Sequence, residues 1–232
     1  MRQPFQPEPA TAGAAALHPL LGNLATVERA AVVRRLRLVR LETGAVLAAA
    51  GAAPGHLHFL IDAAVALRTQ NAQACALELA VVGRGRVTAA LATITAAPSA
   101  HALVVVHPGA ALAMRRPSPT FLARIAPGLQ ARLREAAARE VRAITTAVLR
   151  QAGASARERV AAHLAEMWMA TEARLLSGHH DAIARQLGLR RATVTVALQE
   201  LEQAHAVRAR RGLVEIVDPV TLEREAGPYL AA

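Results

Sequence analysis

The hydrophobic period of this 232-residue chain changes once, at Pro117-Ser118-Pro119. Before this point, short apolar runs alternate with turn residues, as where residues 36–41 are followed by Glu42-Thr43-Gly44. Such runs and turns are typical of the strands of an antiparallel sandwich or barrel. After this point, apolar residues recur at steps of three and four, which is the period of a helix. The pattern predicts the α+β class, with an all-β part followed by a helical part.

Six runs before Pro117 are predicted to be strands, at residues 36–41, 45–47, 56–61, 77–82, 103–106 and 110–114, and a helix over residues 20–35 is predicted to precede them. Residues 87–114 contain no Asp, Glu, Lys or Arg and are long enough to be considered as a membrane span. Pro98, Pro108 and Gly109 interrupt this stretch, and the short pieces between them favour buried strands. We therefore expect no membrane association.

After the change of period, six apolar residues follow one another at steps of four, four, four, three and four: Leu129, Leu133, Ala137, Val141, Ile144 and Val148. This stripe predicts a helix over about residues 127–151, roughly 37 Å long. A helix of that length exceeds what the core of a small domain needs, so we expect a homodimer in which the stripe forms the interface. The alternative is a helix that lies on its own domain.

A separate small domain is predicted to follow. Ser155 and Glu158 have the spacing of a capping box, which predicts a helix from Ala156 to Leu176. The chain then divides into a flexible tail at residues 1–16, a strand-rich domain at 17–117, a segment with the long helix at 118–152 and a small helical domain at 153–232.

Net charge indicates the kind of partner. The chain carries 27 basic residues, all arginine, against 17 acidic ones, a formal net charge of +10, which favours a polyanion. The single cysteine, Cys75, excludes disulfides within the chain, four-cysteine zinc sites and iron-sulfur clusters held by four cysteines.

Two short helices with a tight link are predicted between Asp181 and Gln203. Ala184 lets the helices approach, Gly188 permits the turn, and Val194 wedges the second helix against the first, as a helix-turn-helix requires. The second helix is predicted to begin near Arg190 or Arg191 and to run through Glu202. We expect its exposed opening to meet base edges in a major groove, through Arg190, Arg191, Ala192 and Thr195.

A small hairpin, a wing, is predicted over residues 206–217, with Arg211-Gly212 at its turn. Arg208, Arg210 and Arg211 of the wing, together with Thr193, are predicted to contact DNA phosphates. Residues 185–211 contain six arginines against two glutamates, a local charge of +4. Two alternatives remain: the arginines are only a solvated face of a packed helix pair, or the winged domain of a dimeric sensor binds protein.

The run Leu187-Gly188-Leu189-Arg190-Arg191-Ala192-Thr193-Val194-Thr195 resembles the recognition-helix signature of a bacterial regulator superfamily, named for the cyclic-AMP receptor protein and the fumarate-nitrate regulator (Crp/Fnr). The resemblance implies a jelly roll like that of cyclic-nucleotide-binding domains, a long dimerisation helix and a winged helix-turn-helix, in this order. Residues 17–117 are then predicted to be a sensor domain, residues 118–152 a dimerisation helix and residues 153–232 a DNA-binding domain. It implies base contacts from Arg191, Ala192 and Thr195, although Val196 stands where the family has a basic residue. The implied partners are double-stranded DNA and a second copy of the chain, with RNA polymerase as a further candidate. The implied location is the cytoplasm.

The effector region departs from the nucleotide-binding members of that superfamily. These members need a Gly-Glu pair for the ribose and an arginine about ten residues later for the cyclic phosphate. Here Gly85 precedes Arg86, and no arginine lies between Arg86 and Arg115. We therefore predict a degenerate effector domain that binds no cyclic nucleotide. His56, His58, His101 and His107 are the candidates for haem ligands, but they are interpreted as surface or hydrogen-bonded residues, so no cofactor or metal is predicted.

An enzyme is the weakest interpretation of the sequence. His179-His180-Asp181 is the one candidate cluster for metal or acid-base chemistry, but adjacent residues on a helix diverge by about 100° each. The sequence contains no phosphate loop, nucleophile elbow or paired-histidine zinc motif. We therefore predict that the protein is not an enzyme.

Overall fold

A computed structural model describes residues 8–9, 13, 18–70 and 76–230. It has the antiparallel sheets and the helices of the predicted α+β class. The chain forms two compact units, Met1–Leu67 with Val82–Val141 and Arg68–Val81 with Arg142–Ala232. Of the predicted tail at residues 1–16, only residues 8–9 and 13 are described. The division into a tail, a sensor domain, a dimerisation helix and a DNA-binding domain stays a prediction.

Eight strands form two four-stranded sheets with the strand orders β1-β2-β8-β4 and β3-β7-β5-β6. They are β1 Glu8–Pro9, β2 Leu36–Leu41, β3 Val46–Ala48, β4 His56–Leu60, β5 Ala64–Gln70, β6 Ala76–Val82, β7 Ala102–His107 and β8 Gly109–Arg115. Strand β8 pairs antiparallel with both β2 and β4. The side chains of Leu57, Phe59 and Leu112 on these strands are fully buried and form part of the core. The arrangement is consistent with the predicted jelly roll.

The six predicted strands are observed, with ends that differ by at most one residue. Strand β5 was not predicted, because its opening residues Ala64-Val65-Ala66 give a weak strand signal. The prediction of strands throughout residues 87–114 is wrong at helix α3, Ala90–Ile94, whose alanines favour a helix. The single helix predicted over residues 20–35 is two helices, α1 Pro19–Gly22 and α2 Thr26–Val33, separated at Asn23.

Two helices follow the strands: the short α4 Pro119–Arg124 and the 27-residue α5 Pro127–Gly153, close to the predicted residues 127–151. The start of α5 is anchored by Glu28, whose Oε1 accepts a hydrogen bond of 2.6 Å from the backbone N–H of Leu129. In the part of the chain that the structure describes, no helix is long and apolar enough to cross a membrane.

The second unit contains a helical domain with a three-stranded sheet of order β10-β11-β9. Its elements are α6 Ala156–Thr171, β9 Leu175–Ser177, α7 His180–Leu187, α8 Arg191–Gln203, β10 Val207–Arg210, β11 Leu213–Ile216, α9 Pro219–Ala226 and a 3-10 turn at Gly227–Tyr229. The capping box of Ser155 and Glu158 is present. The predicted end of α6 at Leu176 is wrong: Glu172 takes a left-handed conformation with φ 55°, and Leu176 belongs to β9.

Five charged or titratable side chains form a buried charge cluster in the second unit: Arg68, Glu78, Arg150, His163 and Glu166. Arg150 Nη1 lies 2.6 Å from Glu166 Oε1, and Arg150 also donates hydrogen bonds to the carbonyls of Leu79 and Tyr229. Glu78 lies 3.1 Å from Arg68 Nη2 and 3.3 Å from His163 Nδ1. The cluster ties β6, α5, α6 and the C-terminal turn together within this unit.

Candidate nucleic-acid interface

The link between α7 and α8 has the geometry that a helix-turn-helix needs. Gly188 ends α7 in a left-handed conformation, φ 62° and ψ 37°, which glycine adopts at little cost. Its N–H donates to the carbonyls of Ala184 and Arg185. Val194 and Ala184 are buried where the two helices pack. These are the three positions whose residue types predicted the motif.

The opening of α8 is exposed. Arg190 is the N-cap residue, and the side chains of Arg190, Arg191 and Ala192 are all exposed, whereas Thr193 and Thr195 are half-buried. Val196 and Gln199 continue the exposed surface along the helix. Gln199 was not predicted, although its position seven residues after Ala192, two turns along the same face, was a signal that could have identified it.

Arg191 and Thr195, in the first turns of α8, contact side chains at the start of α7. Arg191 Nη1 lies 3.4 Å from Asp181 Oδ2, with the two side chains 70% and 63% exposed. An ion pair this exposed contributes little, so Arg191 can leave it at small cost. The Thr195 hydroxyl donates to the Arg191 carbonyl at 3.1 Å and lies 2.9 Å from His180 Nδ1. Its hydroxyl is therefore already hydrogen-bonded within the protein.

The wing forms as predicted, with β10 and β11 paired antiparallel and a turn at Arg211-Gly212. Arg208 lies opposite Glu215 in the register, and Glu215 Oε2 is 3.5 Å from Arg208 Nη1 and 2.7 Å from Arg210 Nη2. The hydrogen bond from Arg210 holds the pKa of the Glu215 carboxyl below its usual range. Among the described residues, Arg211 has no ion-pair partner. Sequence reasoning missed Glu215, which the cross-strand register of a two-residue turn would have revealed.

Further contacts join the wing to the two helices. Glu202 Oε1 accepts a hydrogen bond of 3.2 Å from the backbone N–H of Ala209, so the end of α8 is tied to β10. The ring of His179 lies close to Gly212, 3.2 Å from the position that a Cβ would take there. His179 and Asp181 flank the start of α7, and no group of three or more His, Cys, Asp or Glu side chains is placed to hold a metal ion among the residues described.

The six residues predicted for the dimer interface differ in exposure along α5. Leu129, Leu133 and Ala137 are buried within a single chain, so they have almost no surface left to offer a partner. Val141 and Val148 are 47% and 58% exposed, and Ile144 is half-buried. Leu149, which the stripe did not include, is as exposed as Val148. Among the described residues, the large exposed apolar side chains of α5 therefore lie in its C-terminal half.

The first unit contains the histidines and Arg86 of the predicted effector region. The backbone N–H of His58 donates to the Thr88 hydroxyl at 3.2 Å, and burial, together with nearby His56, lowers the pKa of His58 to about 4. Burial also lowers the pKa of His101. Arg86 follows the turn at Gly85 and its side chain is exposed, but partial desolvation and the charge of Arg139 lower its pKa.

Residues 158–225, which include both helices and the wing, match the model of the Crp-like helix-turn-helix domain. Three solved structures are similar to the chain over most of its length. FixK2 from Bradyrhizobium japonicum has a TM-score of 0.66 at 18% identity, with 82% of this chain and 96% of that chain covered. A putative transcriptional regulator of the Crp/Fnr family from Eubacterium rectale gives 0.63 at 16% identity, over 90% and 97%.

The third structure is the c-di-GMP responsive global regulator CLP of Xanthomonas campestris, with a TM-score of 0.61 at 18% identity, over 79% of this chain and 95% of that chain. At these identities the structures establish the fold alone. The comparison with curated proteins found no match. The chain thus has the fold of Crp/Fnr transcription regulators and carries a Crp-like helix-turn-helix domain at residues 158–225. The resemblance and the fold class that the sequence predicted are confirmed.

Proposed function

We propose that the protein is a dimeric, sequence-specific DNA-binding transcription regulator of the Crp/Fnr type. The observation that carries the proposal is the opening of α8, where Arg190, Arg191 and Ala192 are exposed beside a wing that carries three arginines. An α-helix fits the major groove of B-DNA, and arginine pairs with the O6 and N7 atoms of guanine.

Two kinds of DNA contact follow from these positions. Arg190 and Arg191 read base edges, and Ala192 and Thr195 supply apolar contact to bases, since the Thr195 hydroxyl is already hydrogen-bonded. Thr193, Arg208, Arg210 and Arg211 contact phosphates, which position the protein without reading sequence. Arg191 exchanges its exposed pair with Asp181 for the base. In the alternative function, an interaction module, the same face would bind protein and no duplex.

The test of DNA binding begins with selection of a preferred duplex from a random pool. We expect Arg191→Ala to lose about 1–3 kcal/mol of discrimination between the selected and a scrambled duplex. Binding to the scrambled duplex should change little. The matched control is Arg185→Ala, an exposed arginine in the last turn of α7, which should keep the discrimination. Equal losses on both duplexes would make Arg191 a phosphate contact, and a wild-type protein that binds neither duplex would favour the interaction module.

We propose that the homodimer interface lies on the C-terminal half of α5. Its exposed apolar residues Val141, Val148 and Leu149, with half-buried Ile144, support this location. A glutamate at both Val141 and Val148 would leave buried unpaired charges that cost several kcal/mol, so the double variant should sediment as a monomer. Ala138→Glu, at an exposed position outside the stripe, should sediment as a dimer like the wild type. A wild-type monomer at micromolar concentration would contradict the proposal.

The remaining parts of the proposal concern the sensor region. Residues 17–117 form a degenerate effector domain that binds no cyclic nucleotide, which is supported by Arg86 in place of a glutamate and by the absence of arginine from residues 87–114. The protein acts without a cofactor and without enzymatic activity, because the roles proposed for its site residues are contacts with DNA. RNA polymerase is proposed as a further partner at the promoter, and the cytoplasm as the location.

A further inference from the structure

A surface pocket of about 630 Å³ in the first unit is lined by four arginines. Arg35 follows α2, Arg115 and Arg116 lie at the end of β8, and Arg124 lies in the last turn of α4. Phe121 and Ile125, which also line the pocket, give it an apolar wall. This volume lies within the range of about 300–1,000 Å³ that small-molecule sites occupy.

Strand pairing brings these like charges together. Arg35 directly precedes β2, Arg115 is the last residue of β8, and Leu36 of β2 pairs with Met114 of β8, so both arginines lie at the same end of this strand pair. On the other side of β8, Arg115 pairs with His56. Like charges that are held close together repel one another. The register is set by the apolar core residues, so the protein cannot separate these charges without losing that packing.

The pocket contains no counter-charge. Its lining has no Asp or Glu. None of the four arginines forms an ion pair with any described side chain. Elsewhere in the protein, exposed arginines such as Arg208 and Arg210 do have a carboxylate partner. A concave group of four unpaired guanidinium ions is therefore a place where an anion would relieve repulsion.

Two of the four arginines are held in position. The guanidinium carbon of Arg35 lies 4.1 Å from the centre of the Phe121 ring, a cation–π contact. Arg116 Nη2 donates a hydrogen bond of 3.0 Å to the carbonyl of Ala92. Side chains that are already ordered lose less conformational entropy when a ligand binds.

We propose that this pocket binds a small molecule that carries a phosphate group, a phosphate ester. The planar guanidinium fork of arginine matches phosphate oxygens in a bidentate contact, and here several forks converge on one pocket. Ile125, which is 49% exposed, contacts the apolar part of the ligand. A DNA backbone offers the same phosphate chemistry, but it has no apolar part that would use this wall. The site is separate from the proposed DNA contacts, which all lie on α8 and the wing.

The test uses phenyl phosphate as the probe and phenol as its uncharged counterpart, in calorimetric titrations of the full chain in phosphate-free buffer. We expect phenyl phosphate to bind and phenol not to bind. The double variant Arg35→Gln/Arg115→Gln should lose at least about tenfold in affinity, since bidentate contacts to phosphate are lost. The control is Arg40→Gln, an exposed arginine near the opposite end of β2, whose affinity should stay within about twofold of the wild type because a distant charge is screened.

A second readout separates loss of the site from loss of the fold. Without ligand, Arg115→Gln should melt at a higher temperature than the wild type, because one like charge is removed, whereas a folding defect would lower the melting temperature. The proposal is overturned if the wild type does not bind phenyl phosphate, or if Arg40→Gln loses as much affinity as the double variant. It is also overturned if the probe does not bind and the double variant weakens binding to a random DNA duplex, since the anion would then be the DNA backbone.

Discussion

Arginine–carboxylate pairs occur in two contrasting settings within the second unit. In the buried charge cluster, the side chains of Arg150 and Glu166 are 3% and 8% exposed. In the wing, those of Arg208, Arg210 and Glu215 are 57%, 54% and 28% exposed. The chemical groups are the same, but water screens the wing pairs and is excluded from the buried pair. Burial therefore separates charges that fix the fold from charges that are free to change partners.

The hydrogen bonds of the buried Arg150–Glu166 pair and of the wing pairs show the same contrast between fixed and exposed charges. Arg150 contacts both oxygens of Glu166 and the carbonyls of Leu79 and Tyr229, so its donors join β6, α6 and the C-terminal turn. In the wing, one carboxylate serves two arginines and a third, Arg211, stands beside them, so positive charge is in excess. The buried Arg150–Glu166 pair therefore has almost no surface that an external partner could reach, whereas the exposed wing can bind an anion.

The largest expected effect comes from breaking the buried pair. Arg150→Met leaves the Glu166 carboxylate buried without its partner, which should lower the free energy of unfolding by about 3–5 kcal/mol. The measurement is urea unfolding at neutral pH. In the double variant Arg150→Met/Glu166→Leu no unpaired charge remains, so most of the stability should return. A single variant as stable as the wild type would mean that water reaches Glu166 and that the cluster does not fix this unit.

In the first unit the comparison extends to His58, a buried titratable side chain that forms no ion pair with any described residue. His58 is 8% exposed, and burial, with a contribution from His56, lowers its pKa from about 6.5 to about 4. Below pH 6.5 the side chain of His58 takes up a proton in the unfolded chain, whereas in the folded protein it stays neutral down to about pH 4. The free energy of unfolding should therefore fall by about 2 kcal/mol between pH 7.5 and pH 5.

The measurement is denaturant unfolding at pH 7.5, 6.5 and 5 for the wild type and for His58→Gln. The variant should lose less stability over this range, because its side chain does not titrate. Identical slopes for the wild type and His58→Gln would show that the pKa of His58 is the same in the folded protein and in the unfolded chain.

Local signals explain how much could be predicted from the sequence. The turn at Gly188 requires a glycine, and the boundaries of α7 and α8 follow from this residue and the apolar spacing around it. The start of α5 and the strand ends were predicted to within one residue for the same reason. These features depend on residues that are neighbours along the chain.

The features that escaped prediction depend on pairing between distant segments. Glu78 and His163 are 85 positions apart in the sequence, and neither has a local pattern that marks it as buried. The burial of Leu129 and exposure of Val148 cannot be distinguished within one apolar stripe, because both positions satisfy the same helical period. Glu215 is an ordinary strand residue until the register places it opposite Arg208.

The smallest expected effect on stability comes from Glu215→Gln. This variant also tests whether Arg208 and Arg210 exchange the Glu215 carboxylate for DNA phosphates. Because the pairs are exposed, the unfolding midpoint should scarcely change. If the wing contacts DNA phosphates, the variant frees Arg208 and Arg210 from their competing carboxylate, so it should bind selected and random duplexes more tightly. For each additional phosphate contact, the slope of log affinity against log salt should steepen by about 0.9.

Net charge alone would also favour DNA, so the control is Glu223→Gln, which makes the same change of charge at an exposed position on α9. If both variants tighten binding equally, the effect belongs to the whole molecule and the wing has no special role. If Glu215→Gln weakens binding instead, the carboxylate orients the two guanidinium groups, and the wing pairs resemble the buried pair in function despite their exposure. Tighter binding and a steeper salt dependence for Glu215→Gln alone would identify the wing arginines as phosphate contacts that exchange one anion for another.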